Sequence, residues 1–446
     1  MFVAAAFMGF VFSRRFIFLF ALGLVPLSVS WQMPAIRPAV LAFDVALIAA
    51  AILDLLLSRR PEGLSVTRSF AKRFAIGDTN DVILSFRNEG ARRAELWVKD
   101  EFPPDMNIVD GREASFEVES GTEASFIYSL KPLSRGKYEF GRTAVRYRSR
   151  LGLLWCQASL GEADTVKVYP NMRRAREIEL KAIGANAYMA IQRRAVRRGE
   201  GREFESMRDY VRGDELRHIS WTATARRGKL TTRQYQIERD QTIIIALDAG
   251  RLMTGRIGDE SKFDTAIHAS LALVSAAARG GDNCGILVFG RRIKTYLPPK
   301  KSTGHIDAML EALHDLQPEM IEPSYANAFE FISANLKKRA FVVILTDLVD
   351  RDSSAELINS LRLLRPRHLP LVVTIGDRDL NSTVGSVPSD IGDVFVQSAA
   401  EEIIHQRDEA LRRVETLGGL ALDVTTRNLA PDLLQTYLKV KERGLI

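Results

Sequence analysis

The chain has 446 residues, of which 46% are hydrophobic and 26% charged, and its formal net charge is +7. This length is too great for one ordinary hydrophobic core and predicts two or three domains. The two cysteines, Cys156 and Cys284, exclude a disulfide framework and a cysteine-ligated metal site, and we expect both in the core. The positive charge suits an anionic partner, including anionic lipid.

Residues 1–60 are predicted to form a transmembrane helical hairpin. Two apolar runs, Phe16–Trp31 and Ala39–Leu57, each approach the length of a membrane-crossing helix. Arginines at 14–15 precede the first run and arginines at 59–60 follow the second. Positive charge at both outer ends places those ends, and all the downstream chain, in the cytoplasm. The alternative is a cleaved signal peptide ending near Ser28, which explains the first run but not the second.

Two acids lie within the second apolar run. Asp54 is near the end of the run and is expected to reach the membrane interface. Asp44 lies deeper, where a carboxylate is costly, so we expect it to have a partner. Asp44 is either a proton or assembly site, or part of a helix–helix contact or the bilayer face.

Residues 61–170 are predicted to form a β-sandwich-like domain. Short alternating runs recur and are separated by turn residues, a pattern typical of an antiparallel sandwich. The runs are 81–86, 94–98, 115–118, 125–130, 143–147 and 165–169. This stretch has no acid pair and no histidine cluster, so we expect it to provide contact or spacing.

Residues 171–240 form a basic connector. Eight arginines and lysines fall between Arg173 and Arg198, which indicates a solvated loop or a collar that faces lipid. Nucleic-acid binding is not expected, because only Tyr188 is interleaved with these charges. The pair Gly228-Lys229 is followed by Leu230 and not by Ser or Thr, which excludes a phosphate-binding P-loop at this position.

The second half of the connector resembles the signature of the domain-of-unknown-function family 58, a group of bacterial membrane proteins. The matching positions are Gly201, Glu203, Phe204, Arg208, Tyr210, Gly213, Asp214, Arg217, Ile219, Trp221, Ala225, Arg226 and Leu230. We interpret the ion pairs and Trp221 of this signature as structural, wrapped against the domain that follows. The resemblance implies a location in the bacterial inner (plasma) membrane, and partnership with AAA+ ATPases of the MoxR type.

Residues 241–446 are predicted to form an α/β doubly wound domain. Apolar strands at 242–248, 285–289, 341–345 and 371–375 alternate with helical patterns at 263–274, 306–316, 325–336 and 355–364. No glycine-rich dinucleotide motif follows these strands, no nucleophile motif appears, and the six histidines are scattered. The sequence therefore shows no motif that could carry out an enzymatic reaction, and no catalytic residue is assigned.

The acids at the strand ends resemble the metal-ion-dependent adhesion site of von Willebrand A domains. Such a site surrounds Mg²⁺ with hard oxygen ligands. Asp248 begins the motif, Gly250 and Leu252 replace its two serines, Ser324 stands in for the threonine, and Asp347 matches the late aspartate. We interpret the site as degenerate, with Mg²⁺ possible but no cofactor required.

The predicted protein is thus multidomain: a transmembrane hairpin, a β-sandwich-like domain and a von Willebrand A-like domain. Arg251 adds a positive charge beside the site and, if it turns inward, would pair with an acid and replace the metal's charge. We expect a membrane-anchored adaptor for protein–protein interaction in envelope assembly or stress response. The alternative is a metal-dependent hydrolase or transferase that uses Asp248, Asp347 and Asp377.

Overall fold

The computed structural model describes residues 9–29, 37–58, 63–71, 73–111, 113–183, 203–211, 214, 216–236, 241–258, 260–301, 303–349, 351–365, 367–376, 378–388 and 390–445. The chain divides into two compact units, Met1–Tyr169 and Pro170–Ile446. The protein is multidomain and mixed α/β, with several separate sheets.

Two apolar helices open the first unit, α1 (Arg14–Val29) and α2 (Arg37–Leu57). Within the described part of the chain, α2 is the one helix both long and apolar enough to cross a membrane. Helix α1 is shorter, with 16 residues and an internal Pro26. Large apolar side chains on both helices are 46–68% exposed: Ile17, Phe18, Leu22, Val25, Leu41, Val45, Ile48, Ile52 and Leu56.

The two helices contact one another where Gly23 faces Asp44. A side chain on Gly23 would collide with Oδ1 of Asp44, so glycine allows the close approach at this point. Among the described residues, this buried oxygen has no hydrogen-bond partner. The acid therefore lies at a helix–helix contact, and the partner expected for it is not found among these residues.

The rest of the first unit is built from twelve strands in three sheets, with orders β1-β11-β10-β5-β7, β2-β4-β8-β6 and β3-β12-β9. The strands are β1 (Phe10–Phe12), β2 (Leu64–Phe70), β3 (Phe74–Ala75), β4 (Asn80–Asn88), β5 (Ala94–Lys99), β6 (Met106–Asp110), β7 (Ala114–Val118), β8 (Glu123–Pro132), β9 (Gly136–Phe140), β10 (Thr143–Arg148), β11 (Leu154–Leu160) and β12 (Asp164–Tyr169). All six strands predicted from alternation are present. Inward residues of the sheets share one core, which includes Leu84, Leu96 and Val166.

The start of α1 is fastened to the turn between β10 and β11. The short strand β1 pairs antiparallel with β11, with Phe10 opposite Cys156. At the end of β1, the Ser13 amide donates to the carbonyl of Leu153 at 2.9 Å, and its hydroxyl donates to the carbonyl of Gly152 at 2.8 Å. Residues 10–13, directly before α1, are therefore part of the folded β structure.

The end of α2 is fastened to the same turn by Asp54. This carboxylate accepts hydrogen bonds from the Ser149 hydroxyl at 2.5 Å and from the amides of Leu151 and Leu153 at 2.9 and 3.2 Å. Asp54 is fully buried, and its carboxylate is used within the protein. Because it satisfies several donors of one turn, the carboxylate joins helix and sheet.

The second unit is centred on a six-stranded sheet of order β19-β18-β15-β20-β21-β22. Every neighbouring pair is parallel except β18 and β19, so β19 is an antiparallel edge strand. Its strands are β15 (Thr242–Asp248), β18 (Asn283–Phe289), β19 (Ile293–Lys300), β20 (Phe341–Thr346), β21 (Leu369–Gly376) and β22 (Leu420–Thr425). The predicted strands are all present, whereas β19 and β22 were not predicted.

Helices cover both faces of this sheet. The helices described in the second unit, of which α4 belongs to a separate hairpin, are α3 (Met172–Ile183), α4 (Trp221–Arg227), α5 (Lys262–Arg279), α6 (Thr303–Leu313), α7 (Tyr325–Asn335), α8 (Arg351–Leu364), α9 (Arg378–Val384), α10 (Ile391–Thr416) and α11 (Leu429–Glu442). On one face, α7, α8 and α10 pack on Ile244 and Ile344. Successive side chains of a strand point to opposite faces, so Ile243 and Ile245 face the other side, and α5 contacts this strand.

Residues 203–211, 214 and 216–236 form a small hairpin with its own two-stranded sheet. Strand β13 (Glu203–Asp209) pairs antiparallel with β14 (Thr231–Gln236), and α4 and a single 3₁₀ turn, Leu216–His218, lie between them. The amide of Ser220 donates to the carbonyl of Thr231, and the amide of Thr231 donates to the hydroxyl of Thr224. This signature hairpin carries the family-like motif of the sequence. The remaining short strands are β16 (Arg256–Ile257) and β17 (Glu260–Ser261).

Candidate functional site

Asp248 lies at the carboxyl end of β15, where its side chain is held by three donors. The amide of Gly250 donates to Oδ1 at 2.7 Å. The hydroxyls of Thr346 and Tyr325 donate to Oδ2 at 2.7 and 3.3 Å. Burial raises the pKa of this carboxyl to about 6, and the nearby charge of Asp347 acts in the same direction, whereas the hydrogen bonds oppose the rise.

Asp347 follows β20 and is paired inside the protein with two cations. Lys262, the first residue of α5, places its Nζ 2.6 Å from Oδ2. Arg407 of α10 places Nη2 2.9 Å from Oδ1 and also donates through Nε to the carbonyl of Leu348. The side chain of Asp347 is fully buried and that of Arg407 is 4% exposed. Each carboxylate oxygen thus has a resident cationic partner.

The other positions predicted for this site serve different purposes. Ser324 caps α7, because its hydroxyl accepts the amide of Asn327. Arg251 does not turn inward: its guanidinium pairs with Glu322 at 2.7 Å, and both side chains are exposed. The condition under which Arg251 would pair with an acid of the site is therefore not met, and Lys262 and Arg407 are the cations bound to Asp347. Asp377 lies outside the described residues.

The arrangement does not fit a Mg²⁺ site as it stands. Mg²⁺ requires free hard oxygens in near-octahedral geometry, yet the oxygens of Asp248 and Asp347 all accept hydrogen bonds or ion pairs from the protein. Serine is also difficult to restore at Gly250, where an added Cβ would lie 2.7 Å from Cδ of Pro323. At this end of the sheet, the carboxylates of Asp248 and Asp347 are therefore bonded to donors of the protein itself.

The pH dependence of stability should report on Asp248. Its pKa is about 6 in the folded protein, against an ordinary value of 3.8 for an aspartate side chain, so the folded protein binds this proton more tightly than the unfolded chain. The free energy of unfolding should therefore rise as pH falls from 7 towards 4, by up to about 3 kcal/mol from this group. The Asp248→Asn variant should lose that gain.

Denaturant titrations of both proteins at several pH values measure the effect, and the difference between the two curves cancels the other titrating groups. A pH-independent difference would contradict the assigned environment of Asp248.

The signature hairpin presents much of its motif to solvent. Trp221 is 68% exposed, so our interpretation of this residue as a buried structural element is wrong. It is the first residue of the seven-residue α4. The buried side chains of the hairpin include those of Ile219, Thr231 and Thr232. The predicted ion pairing does occur, because Arg208 bonds Asp214 at 2.7 Å.

The other signature positions are distributed over the same hairpin. Arg217 and Arg226 are exposed, and Tyr210 donates its amide to the carbonyl of Leu230. Strand β13 contains Glu203 and Phe204, whose side chains are outside the described part, as are Gly201 and Gly213 altogether. The exposed apolar residues of the hairpin are Met207, Val211, Leu216, Trp221 and Leu230. Exposed tryptophan with surrounding arginine is a composition typical of protein interfaces.

An exposed apolar segment that was not predicted from the sequence follows α9. We name residues 387–388 and 390–396, which include the start of α10, the apolar tip. Ile391, Val394 and Phe395 are 76%, 49% and 72% exposed and share one side of the helix by their spacing. Val387 is 92% exposed. The sequence signal that could have predicted this segment was the spacing of these apolar residues directly after Asp390, which caps the helix.

The sequence also did not predict three side chains that contact the two acids of the site, namely Lys262, Arg407 and Tyr325. The two cations are 85 and 60 positions from Asp347, and nothing local in the sequence joins them to it. Tyr325 directly follows Ser324, a predicted site residue, and this is the one feature of the local sequence that indicates its position near the site.

Comparison with known families gives a match that lies within the second unit. Residues 206–413 match the model of a family described as "Protein of unknown function DUF58". The uncharacterised proteins Rv1480 of Mycobacterium tuberculosis and YeaD of Bacillus subtilis are similar, at 26% identity over 219 residues and 22% over 231. These matches cover 48% and 50% of this chain, and the chain spans 66% and 54% of the relatives' length.

Among solved structures, BatB from Bacteroides thetaiotaomicron, a conserved hypothetical protein, aligns with 46% of this chain and 99% of its own. The TM-score is 0.31 and the sequence identity 16%.

Proposed function

We propose that this chain, a member of the DUF58 family over residues 206–413, is a membrane-anchored adaptor. In this proposal the second unit is a von Willebrand A-like domain that binds a MoxR-type AAA+ ATPase in envelope assembly or stress response. The first unit is a β-sandwich that joins this domain to the membrane. No catalytic residue is assigned, and the chain acts by binding.

The observation that carries this proposal is the exposure of the apolar tip. The tip begins α10, and this helix reaches the carboxyl end of the sheet at Arg407, about 18 Å along the helix from Phe395. Large apolar side chains that are exposed together, as Ile391 and Phe395 are, mark protein-binding surfaces. The acids Asp390 and Asp393 begin the same helix, so a complementary partner would offer an apolar groove with a basic rim.

The charge arrangement at the carboxyl end of the sheet supports binding without a metal. Arg407 lies on α10, and its bond to Asp347 attaches to the sheet the helix that begins with the apolar tip. A buried, doubly paired carboxylate is suited to holding a helix in place and leaves no free oxygen for a partner's metal bridge.

The proposal is tested by capture of a purified MoxR-type ATPase by the full chain in lipid nanodiscs, measured by biolayer interferometry. Wild type should bind, and the double variant Ile391→Ser, Phe395→Ser should bind at least about tenfold more weakly, because interface energy is concentrated in such apolar anchors. Ile127→Ser, which changes a 55% exposed residue of the first unit, is the matched control. Absence of wild-type binding, or equal binding by the double variant, would refute the adaptor role of the apolar tip.

We also propose that both apolar helices cross the inner membrane, with both termini and the soluble units in the cytoplasm. Attachment of Ser13 and Asp54 to the same turn supports a hairpin, since it brings the outer ends of both helices to one side. A cytoplasm-dependent reporter fused after Arg60 or Ile446 should be active, and alkaline phosphatase fused at Pro34 should be active outside. Phosphatase activity at Ile446 would contradict the hairpin and favour the signal-peptide interpretation.

A metal-dependent hydrolase or transferase that uses Asp248, Asp347 and Asp377 is the competing proposal. Calorimetric titration of the second unit with Mg²⁺ separates the two. We expect no saturable heat, because the described acids already have protein donors. Saturable binding that disappears in Asp248→Ala would instead support the enzyme.

A further inference from the structure

The turn that fastens both helices, residues 149–153, carries a convergence of positive charge. Gly152 has φ +74, a conformation that glycine adopts readily, and two guanidiniums pack against the side of this residue where a Cβ would be. An added Cβ on Gly152 would lie 3.1 Å from Nε of Arg148 and 3.5 Å from Nη1 of Arg15. The guanidiniums of Arg15, near the start of α1, and Arg148, at the end of β10, therefore meet beside Gly152.

These like charges are only partly balanced by the carboxylates bound nearby. Arg148 pairs through Nη1 with Glu95 at 2.9 Å. The carboxylate of Asp54 is buried and is engaged by the donors of the turn itself. Arg15 is exposed, so an incoming anion can reach its guanidinium. Two guanidiniums that converge on an accessible point are the arrangement that recognises phosphate oxygens.

Apolar surface adjoins this charge. Leu151, in the same turn, is 53% exposed, and Ile17 and Phe18, which follow Arg15 on α1, are 58% and 68% exposed. A soluble phosphate gains nothing from such surface, whereas a lipid can place its phosphate on the arginines and its acyl chain along the helix.

We propose that Arg15 and Arg148 bind the phosphate of an anionic phospholipid at the turn 149–153. The inference rests on the proposed membrane insertion of α1 and α2. It gives the turn a second role, because the lipid would bridge the membrane helix and the sheet at the point where Asp54 and Ser13 already join them.

The test is lipid binding by the full chain in detergent, followed by native mass spectrometry. Phosphatidylglycerol, phosphatidylcholine and inorganic phosphate are the three probes. We expect phosphatidylglycerol to bind most tightly, and Arg15→Gln to weaken it by about tenfold, the loss of one charge-assisted contact. Arg14→Gln is the matched control, since it removes a neighbouring exposed arginine and should leave binding within about twofold.

Equal phosphatidylglycerol affinity in wild type and Arg15→Gln would overturn the site. Inorganic phosphate that binds as tightly as the lipid would overturn the lipid as its ligand. Because binding in detergent needs neither the ATPase nor a given orientation in the membrane, failure here is distinguishable from failure of the reporter fusions or of ATPase capture.

Discussion

Replacing Arg407 with Met is expected to lower the free energy of unfolding of the second unit by about 3–5 kcal/mol. Asp347 is fully buried, and Arg407 supplies one of its two cationic partners. Lys262 still balances the charge of Asp347 in this variant, but Oδ1 of Asp347 and the carbonyl of Leu348 each lose a donor. A buried acceptor left without its partner costs about 1–3 kcal/mol, and more when it is charged. Denaturant titration of a soluble fragment, residues 170–446, measures the loss.

Arg251→Met is the matched control for this experiment. It removes the same type of charge from the exposed pair with Glu322, where the side chains are 43% and 52% exposed. Exposed pairs contribute little, so we expect a change within about 1 kcal/mol. Similar losses for both variants would show that Asp347 does not depend on Arg407 as the geometry indicates.

The second large effect is expected from Trp221→Ala, and it should appear in binding and not in stability. Because Trp221 is 68% exposed, its truncation should change the free energy of unfolding by about 0.5 kcal/mol or less. Capture of the ATPase should weaken by about 30-fold or more, as for an aromatic anchor at a protein interface. Interferometry and denaturant titration on the same variant separate the two quantities.

Ile219→Ala provides the converse control in the same hairpin. Ile219 is 7% exposed, so its truncation should destabilise the hairpin by about 2 kcal/mol or more. A destabilised Trp221→Ala protein with unchanged capture would return this tryptophan to the structural role first inferred from the sequence.

The regular elements were largely predictable from the chain itself. Continuous apolar runs at 242–248 and 341–345 predicted buried parallel strands, and the alternation at 81–86 predicted a strand with one buried face. The edge strand β19 was not predicted, since its sequence, IKTYLPPK, contains two prolines that argue against a strand.

The side-chain arrangement at the sites was much less predictable, because it depends on contacts between distant positions. Asp54 appeared as an acid in an apolar run, yet its donors lie 95 to 99 residues away in a turn that local sequence does not connect with it. The same holds for Lys262 and Arg407 beside Asp347. Trp221 was assigned to the interior from residue type alone, and residue type does not determine which side of a short helix faces solvent.

The central claim, that the apolar tip contacts a MoxR-type ATPase, is tested most directly by photo-crosslinking in intact membranes. A photoreactive phenylalanine analogue replaces Phe395 in the full chain, and Ile127 is replaced in the same way as the comparison site, both residues being exposed. The account predicts an adduct with the ATPase from position 395 and none from position 127. An ATPase adduct from position 127 alone, or no ATPase adduct from either position, would contradict it.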